Sequence, residues 1–173
     1  IEASKAHLPT LSSHFDHPKS KLLIEDGIAY VNNSPDASFD LIIVDGSDPV
    51  GPAKGLFTEA FYKDCQRVLK ADGILISQGE SPMFNQETFV ELNACLKGIF
   101  GSDKVHTLLF QIPTYPSGIW SFQMAVKDGK SPKTLDLSRV EEFEKNILLH
   151  YYNAGIHQAA LALPNYVKRL LNE

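Results

Sequence analysis

The sequence predicts an α/β protein built on a mostly parallel sheet with an antiparallel hairpin at one edge. Three observations lead there. Strand-like apolar runs alternate with helical periodicity along most of the chain. The run Leu41-Ile42-Ile43-Val44 is apolar without alternation, the pattern of a strand covered on both faces. Three successive predicted strands end in polar clusters: Glu25-Asp26-Gly27, Asp45-Gly46-Ser47-Asp48 and Gln78-Gly79-Glu80. In open α/β sheets, ligands bind at the carboxyl ends of the strands.

The elements follow in order. Residues 1–8 read as a helix ending near Pro9, and the chain opens as though inside that helix, without Met and without a preceding strand. That opening predicts a fragment whose amino-terminal half is missing. A polar loop over 12–19 leads to a short strand at 21–24, which ends at Asp26-Gly27. Residues 28–32 start a short helix, and Asn33-Ser34-Pro35-Asp36 make a turn. The strand through Val44 precedes a loop over 46–55. Thr58 is placed to cap a helix with Phe61, Cys65, Val68 and Leu69 inward, closed by a turn at Asp72-Gly73. A buried strand over 74–77 comes next, then a helix from Asn85 to about Phe100. Strands at 105–111 and 119–126 flank Pro113-Thr114-Tyr115-Pro116-Ser117-Gly118, and their short separation predicts the edge hairpin. A helix over 138–149 puts Val140, Phe143 and Ile147 on one stripe, and Pro164 opens a last helix.

A chain of 173 residues is most simply one domain, spanning 1–173. Its 43% apolar and 21% charged residues are ordinary for a soluble globular protein. The net charge of -5 argues against a nucleic-acid backbone as partner. No run has the length of a membrane span. The two cysteines, Cys65 and Cys95, have neither metal-ligand spacing nor a disulfide framework, and their helical settings predict buried free thiols in a reducing cytoplasm.

The chemistry is expected at the three strand ends. Asp26 either caps a turn or helix or accepts a hydrogen bond from an adenine amino group, and spacing does not choose between them. Asp45 and Asp48 either sit solvated around the turn at Pro49 or hold a cationic amine and take a proton from its reacting nitrogen. Gln78 ends its strand as a polar terminus or as an acceptor for the same amine. Tyr115, in its Pro-flanked loop, packs locally, walls an apolar slot with its ring or contacts an amine through its hydroxyl. The six histidines show no metal-ligand spacing. Ser47 and Ser77 lack a nucleophile-elbow context. Trp120 and Phe122 alternate as core residues do. Glu141, Glu142 and Glu144 form a solvated helix face.

The segment Asp45-Gly46-Ser47-Asp48-Pro49-Val50-Gly51-Pro52-Ala53 resembles the signature of the polyamine aminopropyltransferases, the spermidine synthases among them. So do Leu56-Phe57-Thr58 with Phe61-Tyr62, Gln78-Gly79-Glu80-Ser81-Pro82, and Ile112-Pro113-Thr114-Tyr115-Pro116-Ser117-Gly118. The tail Tyr151-Tyr152-Asn153, Ile156-His157 and Ala160-Leu161-Ala162-Leu163-Pro164 is similar as well. The likeness runs nearly end to end, in the same order. It implies a Rossmann-like, methyltransferase-type fold, and transfer of an aminopropyl group from decarboxylated S-adenosylmethionine to putrescine. It implies no cofactor and no metal, since that nucleoside is a co-substrate, and a homodimer or homotetramer when complete. By position in the motif, Asp45 corresponds to the catalytic base and Asp48 to the residue that holds the diamine. Asp26 and Gly27 correspond to adenine contacts, Pro52 to the nucleoside wall, and Gln78 and Tyr115 to the diamine site.

The sequence departs from that pattern. The family's amino-terminal β-hairpin domain, its glycine-rich donor loop and the acid that grips the ribose have no counterpart here. Glu2 falls past that acid and is not its equivalent, and Gly46 stands where many relatives carry serine. The chain by itself is therefore expected to be inactive or nearly so. Two alternatives compete with this reading. One is a non-catalytic aminopropyltransferase-like partner chain, against which the retained Asp45, Asp48, Gln78 and Tyr115 speak. The other is a methyltransferase on a related fold, which has little use for paired acids.

Overall fold

The computed structural model of the chain describes residues 1–46 and 51–173, and of 51–53 the backbone alone. The chain starts with α1 (Glu2–His7) and α2 (Pro9–Ser12), and α3 (Gly27–Asn33) follows a long connection. Strand β1 (Phe39–Val44) leads through a 3-10 helix (Gly51–Phe57) and α4 (Glu59–Val68) into β2 (Leu69–Gln78). Then come α5 (Gln86–Phe100), β3 (Val105–Gln111), β4 (Ile119–Val126), α6 (Leu137–Asn146), α7 (Ala154–Leu161) and α8 (Asn165–Leu171).

The four strands form one mixed sheet in the order β1-β2-β4-β3. β1 and β2 run parallel, with Leu41 opposite Ile74 and Val44 opposite Ser77. β4 lies antiparallel between β2 and β3, so that Ser77 faces Gln123 and Thr107 faces Gln123 from the other side. The expected hairpin is thus present, and it inserts β4 into the sheet. Two of the three pairings are therefore antiparallel.

Three expectations need correction. Residues 21–24 form no strand. A strand needs a ladder partner, none lies beside this segment among the described residues, and Leu22, Leu23 and Ile24 are exposed. Asp72-Gly73 does not close α4, which ends at Val68 and passes straight into β2. The pair instead lies where the β1–β2 register shifts: a step of two residues on β1, from Phe39 to Leu41, matches a step of five on β2, from Leu69 to Ile74. Finally, β1 is covered on one face only. Ile42 and Val44 pack against the core, while Leu41 and Ile43 are 48% and 64% exposed.

Helices α4 and α5 cover one face of the sheet. Thr58 caps α4 as expected, its Oγ1 accepting from the Phe61 N–H at 3.3 Å. Phe61, Tyr62 and Cys65 from α4 meet Leu92, Leu96 and Phe100 from α5 over Leu75, Ala125 and Val105 of the sheet. A satellite cluster of Phe89, Val167 and Leu171 fixes α8. Burying each large side chain of this kind contributes roughly 1.5–3 kcal/mol. Of the stripe expected on α6, only Val140 is buried, while Phe143 and Ile147 are half exposed.

Both thiols are free, Cys65 buried and Cys95 half-buried. Burial, helped by the neighbouring Asp64 carboxylate, pushes the Cys65 thiol up to about 12, and burial raises Cys95 as well. Thiolate is the reactive form. In the native protein a maleimide is therefore expected to modify Cys95 first and Cys65 only on unfolding. Equal rates at the two positions, followed by peptide mass spectrometry, would contradict this packing.

Candidate active site

The face that packs on α4 and α5 changes character toward the carboxyl end of β2. Leu75, Ala125 and Val105 give way, one step along, to Ser77, Gln123 and Thr107. These polar groups are buried, so each must find partners from the strands and helices around it. The Ser77 and Tyr62 hydroxyls pair at 2.9 Å. Gln123 Oε1 accepts from Asn93 Nδ2 and from Thr107 Oγ1, both at 2.9 Å. A hydrogen-bonded layer therefore lies directly beneath the sheet edge, and it stiffens what stands on it.

Above that layer, Asp45 and Gln78 leave adjacent strands one residue beyond the Val44–Ser77 pair. Neighbouring strands are about 4.8 Å apart, so the two side chains start side by side. Asp45 is exposed. The Gln78 amide is partly buried. Its Nε2 donates to Glu80 Oε1 at 3.3 Å. The flipped amide would set two acceptor oxygens against each other. Gln78 Oε1 is left buried without a partner among the described residues.

The chain turns sharply here. Glu80 is fully buried and has φ of 65°, in the left-handed region that non-glycine residues seldom adopt. Ser121 on β4 holds the turn three ways. Its N–H and its Oγ donate to the Glu80 carbonyl at 3.1 and 2.8 Å, and its carbonyl accepts from the Gly79 N–H at 2.9 Å. Glycine is required at 79, because a Cβ there would lie 2.7 Å from Ser121 Oγ and 3.0 Å from Gln123 Cγ.

Tyr115 stands on the loop between β3 and β4. Ile112 N–H donates to the Gly118 carbonyl at 3.0 Å and closes that loop. The Tyr115 ring meets Trp120 edge-on at 4.9 Å and is 46% exposed. The Ser117 and Ser81 hydroxyls pair at 3.1 Å, tying the loop to the segment just past Glu80. Trp120 is buried as expected, whereas Phe122 is only partly so.

Asp26 caps α3, its Oδ1 accepting from Ile28 and Ala29 N–H at 2.9 and 3.2 Å. Of its two sequence readings the cap is therefore realised, with the side chain still exposed. The other end of α3 is clamped by Arg67, which donates to the Asn32 and Ser34 carbonyls at 2.8 and 2.9 Å and pairs with Asp36 at 2.7 Å. Gly27 begins α3, and a side-chain carbon at Gly55 would collide with Ile28. The 3-10 helix carrying Pro52 thus lies against α3. Asp48 and the Pro52 side chain fall outside the described residues.

The structure thus brings Asp45, Gln78 and the Tyr115 loop to one edge, with Asp26 and Gly27 on α3. In the sequence Glu80 belongs to the polar cluster after Gln78 without a role of its own, and nothing there links Ser121 to it. A cavity of about 930 Å³, lined by Pro132, Val140, Phe143, Tyr152 and His157 among others, includes none of the expected site residues. Among the described residues no helix is long and apolar enough to cross a membrane.

The sheet order and its helices define a Rossmann-like, methyltransferase-type domain. Comparison with known proteins gives the family. Residues 1–136 match the spermine/spermidine synthase domain. The polyamine aminopropyltransferase of Clostridioides difficile is 42% identical over 175 residues, covering 100% of this chain and 60% of that protein. A spermidine synthase crystal structure in complex with the transition-state analogue AdoDATO superposes with a TM-score of 0.91 at 36% identity, over 99% of this chain and 57% of that one. The Thermotoga maritima spermidine synthase gives 0.89 at 36% identity, over 99% and 56%. The chain belongs to the spermine/spermidine synthase family, and it spans about 60% of the length of the curated relatives it matches.

Proposed function

We propose that residues 1–173 form the carboxyl-terminal part of the catalytic domain of a spermidine synthase. The reaction transfers an aminopropyl group from decarboxylated S-adenosylmethionine to putrescine, giving spermidine and methylthioadenosine. The observation that carries this reading is the buried Gln78 oxygen, without a partner among the described residues, at the end of the strand next to the one that leads to Asp45. Both present acceptors, which suits an ammonium donor. Desolvating that oxygen is unfavourable unless a ligand satisfies it.

The chemistry runs on few groups. A primary alkylamine is protonated at neutral pH, its pKa being about 10. Asp45 takes a proton from the reacting nitrogen, whose lone pair then attacks the methylene carbon bound to the sulfonium. A C–N bond forms, the C–S bond breaks, and the electron pair stays on sulfur as the neutral thioether of methylthioadenosine. Asp48 and Gln78 hold the diamine, and Tyr115 walls its aliphatic stretch. Asp26 and Gly27 contact the adenine, with Pro52 against the nucleoside. Two cationic substrates repel each other, and carboxylates fixed at the sheet edge offset that repulsion without reorganising. The donor's glycine-rich loop has no counterpart in this sequence, so residues 1–173 alone turn over little or nothing.

Acceptor choice tests this reading. With the protein as its gene encodes it and decarboxylated S-adenosylmethionine as donor, kcat/KM for putrescine is expected to exceed that for n-butylamine at least about tenfold. The monoamine lacks the second ammonium, and one charge-assisted hydrogen bond is worth about that factor. Equal use of the two amines would overturn the assignment of Gln78 and the acids to a diamine. No turnover of either would favour a non-catalytic partner chain.

A further inference from the structure

Gln78 has a carbonyl oxygen suited to an ammonium, but an amide can present either end. Which end faces the site is decided by Glu80. Its Oε1 accepts from Gln78 Nε2 at 3.3 Å, and an ionised Glu80 would have no proton with which to reward the opposite flip. Glu80 reaches back to Gln78 from a left-handed backbone, with φ of 65°. A residue with a Cβ seldom adopts that conformation, so neighbouring contacts must hold it. Ser121 supplies them through its two bonds to the Glu80 carbonyl, at 2.8 and 3.1 Å, and its acceptance of the Gly79 N–H at 2.9 Å. Both Glu80 and Ser121 are fully buried, so water does not compete for these bonds.

We infer that Glu80 is a positioning residue that fixes the Gln78 amide with its oxygen toward the amine substrate, and that Ser121 holds Glu80 in the backbone conformation this requires. The inference rests on the function proposed above. Glu80 acts through Gln78 on binding, while Asp45 acts on the proton, so the two are separable in kinetics.

The test uses Glu80→Gln and Ser121→Ala in the protein as its gene encodes it. Glutamine at 80 can donate or accept, so it no longer selects one Gln78 orientation. The KM for putrescine is expected to rise about tenfold in Glu80→Gln, the loss of one hydrogen bond to a charged group. It should rise less in Ser121→Ala, where the main-chain bonds remain. kcat and the KM for decarboxylated S-adenosylmethionine should stay within about threefold. A second readout needs no substrate. Exchange of the Gln78 Nε2 protons with solvent, followed by NMR, should speed about tenfold in Glu80→Gln. Ser121→Ala, the milder change, decides the matter if Glu80→Gln does not fold. Unaltered Gln78 exchange in the folded variants overturns the inference, whatever KM does. If the wild-type protein does not use putrescine, the proposed function fails, and the exchange rates still judge the positioning.

Discussion

Asp45→Asn is expected to reduce kcat for putrescine by about 10²–10⁴-fold, the usual contribution of a positioned general base. Asparagine keeps the size and the hydrogen-bonding reach of the side chain but cannot take a proton. Asp45 stands at the end of β1, beyond the Val44–Ser77 pair, on backbone that the parallel ladder holds in place. The side chain is exposed, so the substitution leaves no buried charge and no cavity and should not disturb folding. Stopped assays with isolated product, alongside a denaturant titration of the same variant, separate the two effects. A kcat within threefold of wild type would remove Asp45 from the proton transfer.

Gly79→Ala is expected to destabilise the fold by about 1–3 kcal/mol, as overpacking a filled interior does. The new methyl would meet Ser121 Oγ at 2.7 Å and Gln123 Cγ at 3.0 Å. Neither side chain can retreat. Ser121 is tied to Glu80, Gln123 is tied to Asn93 and Thr107, and both are fully buried. Relief must come from moving the Gln78-Gly79-Glu80 turn, so amine binding should fail together with stability. Gly98→Ala is the internal control. Gly98 lies within α5, is exposed, and has nothing within 4 Å of a built Cβ. That change should stabilise by about 0.4–1 kcal/mol. The denaturant midpoint reports both, with the slope unchanged. A Gly79→Ala midpoint equal to wild type would mean the turn is looser than its contacts imply.

Much of this was legible in the chain. The strands at 105–111 and 119–126 are legible to the residue because the Pro- and Gly-bearing segment 112–118 separates them. Thr58 was readable as a cap because a hydroxyl stands just before a helical period. Asp45 and Gln78 could be singled out because an apolar run that stops at a polar residue marks a strand end. What sequence could not supply was which neighbours each element would have. The segment 21–24 has a strand's composition, but a strand is made by its ladder, and among the described residues no partner lies beside it. Leu41 and Ile43 read as covered because they are apolar, and the described residues leave that face open. Asp72-Gly73 has turn chemistry but serves a bulge, because the register of β1 on β2 decides it. Glu80 and Ser121 lie 41 positions apart in sequence and meet only through the β2–β4 pairing. No local pattern encodes such a contact.

The proposed function reduces to one chemical statement: an amine displaces methylthioadenosine from a sulfonium, and carboxylates manage the charge. Product analysis addresses it directly. The protein as its gene encodes it is incubated with decarboxylated S-adenosylmethionine and ¹⁵N-labelled putrescine, and both products are identified by mass spectrometry. Equimolar labelled spermidine and methylthioadenosine are expected. Release of any other nucleoside, or consumption of the donor without a labelled triamine, would contradict the account.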